Sequence, residues 1–130
     1  MLLQVGVKAL LKNSQGKYLL LHRSAEKYPE VTNPWDIPGG RIEPGSSLFE
    51  NLKREIREET GLDLLKEPRL IAAQDILKSD KHVVRLTFTG EIEGAPKLED
   101  EHDDFKWCDR SELDSMEGLD SYLKQALKFL

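Results

Sequence analysis

Apolar residues recur along this chain in two rhythms, one suited to strands and one to a helix. Residues 3–11 and 17–22 are short runs rich in Leu and Val, separated by the turn signal Asn13-Ser14-Gln15-Gly16, and they predict an opening β-hairpin. Residues 24–34 hold Pro29 and Pro34 and no clear period, which predicts an exposed loop. Residues 35–42 carry Pro38-Gly39-Gly40, a sharp bend between short extended pieces. Residues 69–77 and 82–92 alternate or run apolar with β-branched residues and predict two strands. An acidic loop at 94–104 leads to a further short strand at 105–108, and residues 111–130 read as helical with a break near Gly118.

The helical rhythm is clearest from Ser47 to Thr60. Ser47 and Glu50 stand at the spacing of a capping box, and Gly61 falls where a left-handed C-cap glycine belongs. Leu48, Phe49, Leu52 and Ile56 predict one apolar face. Strands on both sides of this helix and a helical C-terminus predict a mixed α/β sandwich, one domain over residues 1–130.

Chemistry enters with Arg54-Glu55-Ile56-Arg57-Glu58-Glu59. At ~100° per residue, Glu55, Glu58 and Glu59 share one side of the helix, next to the apolar stripe. Like charges there repel, and they lie in the final turns, where the helix macrodipole already presents negative charge. A helix shaped by stability alone favours Lys or Arg at such positions. A divalent cation removes the conflict, because hard carboxylate oxygens suit Mg²⁺ or Mn²⁺. A solvated acidic face balanced by Arg54 and Arg57 is the competing account of the helix alone.

The wider context resembles the Nudix box, G-x5-E-x7-R-E-U-x-E-E-x-G-U, where U is aliphatic. Gly40, Arg54, Glu55, Ile56, Glu58, Glu59, Gly61 and Leu62 match it at the required spacing, preceded by a W-x-x-P-G lead-in from Trp35 to Gly39. Ser46 stands where the box has its first glutamate. The resemblance implies a Nudix-type α/β/α sandwich with a mixed sheet and a loop–helix–loop motif. It also implies Mg²⁺ or Mn²⁺ as cofactor and hydrolysis of a nucleoside diphosphate linked to another group. Gly40, Glu55, Glu58 and Glu59 are then the metal ligands. Glu101, a few residues before Trp107, resembles the family's downstream carboxylate, a further ligand or a base. Glu58 or Glu101 takes the proton of the attacking water in this reading, and Arg54 orients Glu58. Arg23 is a candidate phosphate contact by resemblance to MutT-like members. Trp35 and Asn33 are candidate base contacts, set against packing and turn roles, and Arg85 and Phe88 are candidates for the pocket wall.

Composition narrows the classes. The 130 residues carry 19 basic and 24 acidic side chains, a net charge of −5 without a Lys/Arg stripe, which argues against a nucleic-acid polymer as partner. No stretch reaches the ~20 apolar residues that span a bilayer. The single cysteine, Cys108, excludes an internal disulfide and fits a cytoplasmic setting. His22, His82 and His102 lack the spacing of a zinc site. The expected protein is a monomer or homodimer acting on a small nucleotide. Nucleoside triphosphates or oxidised deoxynucleotides lead, and ADP-ribose or nucleotide sugars follow. A non-catalytic nucleotide-binding module, marked by Ser46, is the alternative from another class.

Overall fold

The computed structural model describes residues 1–130. In chain order the strands are β1 (Leu2–Lys12), β2 (Tyr18–Arg23), β3 (Trp35–Asp36), β4 (Gly39–Arg41), β5 (Arg69–Leu77), β6 (Lys81–Glu91) and β7 (His102–Cys108). Helix α1 (Leu48–Thr60) follows β4, and α2 (Arg110–Ser115), α3 (Ser121–Ala126) and a final 3₁₀ turn (Leu127–Phe129) close the chain. No helix is long and apolar enough to cross a membrane.

The strands form one mixed sheet in the order β3-β2-β1-β6-β5, with β4 on β1 and β7 on β2. The axis of the sheet is the parallel pair β1 and β6, in register from Leu2 opposite Lys81 to Lys12 opposite Glu91. The expected opening hairpin is largely splayed: β1 and β2 pair only at Lys12 and Tyr18. The freed edge of β1 is taken by β4, through Gly6–Arg41, Val7–Gly40 and Lys8–Gly39. β2 meanwhile turns onto β7, which starts at His102 rather than at 105 because its first residues pair with Arg23 and His22 across a bulge.

Alternation along these strands divides two cores. Val7, Ala9, Leu11, Leu19, Leu21, Phe88 and Ile92 point to one face, where Leu52 and Ile56 of α1 close over them. Leu10, Leu20, Ile37 and Cys108 point to the other, under Leu113, Leu119, Leu123 and Leu127 from the C-terminal helices. Helices therefore cover both faces, and the architecture is the expected α/β/α sandwich.

Local signals set α1 in place. The Ser47 side chain accepts the Glu50 N–H at 3.1 Å. Gly61 adopts φ 71° and donates its N–H to the Arg57 carbonyl. The buried apolar face is narrower than the pattern suggested: Leu52 and Ile56 are fully buried, but Leu48 is 40% exposed and Phe49 half-buried. Truncating the anchor should therefore cost far more than truncating the rim. Ile56→Ala is expected to lower the unfolding free energy by about 2–5 kcal/mol, and Leu48→Ala by no more than roughly 0.5 kcal/mol. Urea unfolding of the two variants checks this, and equal losses would contradict the placement of the core.

Candidate active site

β4 lies between β1 and the side of α1, so Gly39 and Gly40 wedge backbone against both. A Cβ on Gly39 would collide with the Val7 carbonyl, and one on Gly40 would stand 2.6 Å from Glu55 Oε2. These contacts admit only glycine without rearrangement. The Gly39 N–H donates to Glu59 Oε2 at 2.9 Å, which draws the last turn of the helix against the loop.

Beside this wedge opens a cleft of about 1030 Å³. Gly40, Arg54, Glu55, Glu59 and Glu101 line one side, and Arg23 and Arg85 also reach it. Its floor is the sheet itself, with Gly6 opposite Arg85 and Arg85 opposite Gln74, then Gln4 opposite Val83 and Val83 opposite Ile76.

Arg54 organises the helix carboxylates. It donates to Glu55 Oε1 at 3.1 Å and to Asn51 Oδ1 at 2.9 Å. Glu58 Oε1 lies 3.7 Å away and Glu43 Oε2 3.5 Å away. Asn51, fully buried, accepts the Glu43 N–H and donates to the Ser46 and Ser47 carbonyls, fixing the loop to the helix. Ser46 itself is exposed. The carboxylate that meets Arg54 from the loop is thus Glu43.

Two buried acids have opposite electrostatics. Burial pushes the Glu59 carboxyl up to about 8; Lys8 and the Gly39 N–H oppose this, while Glu55 and Glu99 add to it. Burial would raise Asp36 as well, but Lys8 and Arg85 outweigh it and hold the carboxyl at about 2. Lys8 Nζ is 3.2 Å from Asp36 Oδ2, and Arg85 bridges Asp36 at 3.1 Å to Asp120 at 3.2 Å.

Other sequence candidates fall outside the cleft lining. Glu58 stands on the solvent side of α1, its side chain 60% exposed. Phe88 is three residues from Arg85, and the pleat therefore turns it to the opposite face, into the core beneath α1. Asn33 lines a separate shallow depression with Met116 and Gly118. Trp35 packs at the second core, its ring 4.8 Å edge-on from His22 and 5.5 Å from the Lys106 ammonium. Lys8, Asp36, Tyr28 and His102, none of them a site candidate from sequence, also line the cleft. Only Lys8, a charge flanked by apolar residues in β1, carried a sequence signal.

The donor set fits a divalent cation. Glu59 is a buried carboxylate short of positive charge, and Glu55 lies against Gly40. No three His, Cys, Asp or Glu side chains converge on one point. The Gly40 carbonyl, water and substrate phosphate oxygens would supply the balance, as is usual for Mg²⁺.

A family model described as NUDIX domain matches residues 2–128. The chain belongs to the Nudix family. Nudix hydrolases are generally divalent-metal dependent. The solved MutT protein from Methanosarcina mazei superposes with a TM-score of 0.83 at 31% identity, over 98% of this chain and 91% of that one. The nucleoside triphosphatase NudI of Escherichia coli is 30% identical over 114 residues, 79% of this chain and 80% of that protein. Mouse 8-oxo-dGDP phosphatase NUDT18 is 36% identical over 56 residues, but that match covers 43% of this chain and only 16% of the longer protein. Within the Nudix box, α1 is the helix, preceded by the end of β4 and the loop 42–47.

The Glu59 shift has a consequence for stability. Its carboxyl ionises near 4.5 in the unfolded chain and near 8 in the fold, so the folded state binds the proton more tightly. The resulting stability is full below about pH 4.5 and is lost as pH rises through about 8. Chelator-treated protein should therefore lose unfolding free energy across this window, on the order of a few kcal/mol, seen as a falling Tm. Glu59→Gln should flatten that part of the slope and be the more stable form at alkaline pH. Parallel Tm–pH curves for the two proteins would contradict the burial of an uncompensated carboxylate.

Proposed function

We propose that this chain is a Mg²⁺- or Mn²⁺-dependent pyrophosphohydrolase that cuts a phosphoanhydride bond in a nucleotide. Nucleoside triphosphates, oxidised deoxynucleotides among them, are the substrate class, with a monophosphate and pyrophosphate as products. The observation that carries this reading is the presence of acids and unpaired cations in the lining of one cleft. Glu55, Glu59 and Glu101 line it together with Arg23, Arg41 and Lys81, three cations engaged by no carboxylate. An acidic protein that leaves cations unpaired in its acidic cleft is suited to a phosphate chain with a divalent ion between.

Glu55, Glu59 and the Gly40 carbonyl would hold the cation, with Glu101 in the same cleft lining. When bound, the ion neutralises the diphosphate and lowers the pKa of an attacking water. The chain's own residues do the rest. Arg54 fixes Glu55 and steadies Glu58. Arg23, lying 5.5 Å over the Tyr28 ring, meets the phosphates. The floor of Gly6, Val83 and Ile76 receives the nucleoside, and Arg85, locked between Asp36 and Asp120, forms its wall. Glu101 is the better candidate to take the water's proton, since it lines the cleft whereas Glu58 turns to solvent. Relatives named as a nucleoside triphosphatase and a MutT protein support the substrate class.

A nucleotide panel with Mg²⁺ and Mn²⁺, products resolved by chromatography, tests the reading. Metal-dependent release of pyrophosphate from triphosphates is expected. Glu59→Gln should abolish it, and Glu101→Gln should lower kcat by roughly 10²-fold or more. Nucleotide and metal binding without turnover would instead make the chain a binding module, and recovery by Ser46→Glu would trace the loss to that position.

A further inference from the structure

One buried imidazole faces the box carboxylates although the box does not supply it. His102 opens β7 at the wall of the cleft, and its side chain is only 8% exposed. Its Nδ1 lies 2.7 Å from Glu99 Oε1. A carboxylate only accepts, so Nδ1 carries the proton and, in the neutral ring, Nε2 presents a lone pair. That nitrogen makes no hydrogen bond and lies 3.9 Å from Glu59 Oε1. The other Glu59 oxygen is already held by the Gly39 N–H, so Oε1 is the one left for a ligand.

The gap is informative. At 3.9 Å the two atoms are too far apart to hydrogen-bond. Two metal–ligand bonds of about 2.1 Å can span up to ~4.2 Å, so one ion can touch both. A ring whose second nitrogen donates to a carboxylate is also the usual arrangement of a metal-binding histidine. Glu99 keeps its other oxygen buried without a partner, so its side-chain hydrogen bond is the one to this imidazole.

We infer that His102 is a nitrogen ligand, oriented by Glu99, for a divalent ion shared with Glu59. The inference rests on the metal-dependent reading above and deepens it. Mg²⁺ takes oxygen ligands and resists dehydration, whereas imidazole favours transition ions. The site therefore binds Co²⁺ in preference to Mg²⁺, and binds Mn²⁺ through a nitrogen as well as oxygens.

Pulsed EPR of the full chain loaded with Mn²⁺ reads a directly coordinated nitrogen, and calorimetric titration with Co²⁺ and Mg²⁺ reads the preference. Wild type should show nitrogen coupling that persists in His22→Gln and His82→Gln and disappears in His102→Gln. His102→Gln should lose Co²⁺ affinity at least about tenfold while Mg²⁺ affinity moves far less, and Glu99→Gln should lose roughly 10-fold or more. Circular dichroism establishes that each variant is folded, and the wild-type coupling needs no variant. Bound Mn²⁺ without nitrogen coupling, or an unchanged Co²⁺-to-Mg²⁺ ratio in His102→Gln, would overturn this inference alone. Failure of wild type to bind any of the three ions would overturn the metal-dependent reading together with it.

Discussion

The site depends on one close approach, that of the Gly39-Gly40 backbone to β1 on one side and to α1 on the other. Gly39 has no room for a Cβ against the β1 backbone, and a Cβ on Gly40 would displace the Glu55 carboxylate, so strand, loop and helix meet at a separation that side chains would disturb. The hydrogen bond from Gly39 to Glu59 then fixes where the last turn of the helix lies. Leu52 and Ile56 hold the same helix from its apolar side, so α1 has little freedom to slide. Closeness also has an electrostatic result. It buries Glu59 beside Glu55, and that burial makes its carboxylate a strong candidate for a cation. Packing and chemistry share one cause here.

A second buried acid in the cleft lining shows what full compensation looks like. Asp36 is as buried as Glu59, yet Lys8 and Arg85 contact it directly and keep it ionised. It ties β3 to β1 and β6 and, through Arg85 and Asp120, to the start of α3. A buried ion pair of this kind contributes little net stability over an apolar pair, but breaking it is expensive, so it fixes geometry. The cleft lining thus holds one buried acid, Asp36, matched by direct ion pairs, and a second, Glu59, that no lysine or arginine contacts. A ligand of mixed charge, such as a cation with phosphates, is drawn to the second.

Much of the fold was legible because its signals are local. The capping residue Ser47, the apolar pair Leu52 and Ile56 and the terminator Gly61 each act within a few residues, and α1 forms where they put it. The carboxylates on its flank were legible for the same reason. Pairings between distant strands were not. Nothing near β1 announces that its partner is β6, some eighty residues on, rather than its neighbour β2. That choice splays the expected hairpin and opens the cleft above Gly6. Phe88 and Arg85 looked equivalent until strand parity sent them to opposite faces. Asp36 gained meaning only when Lys8 and Arg85 arrived from other strands, and His102 only when Glu59 arrived from α1, which no local pattern encodes.

Ser46 shows how such a lattice absorbs a local departure. The loop carboxylate facing Arg54 is Glu43, and Asn51 closes the loop onto the helix through the carbonyls of Ser46 and Ser47. Position 46 thus contributes its backbone to the frame whatever its side chain. What the serine removes is negative charge at an exposed position, not an anchor of the buried carboxylates. Exposed charges act through high dielectric and are screened by salt, while Glu59 acts from a site where screening is weak. Its demand for a cation therefore outlasts the departure, since neither the Gly39 hydrogen bond nor the burial beside Glu55 involves residue 46.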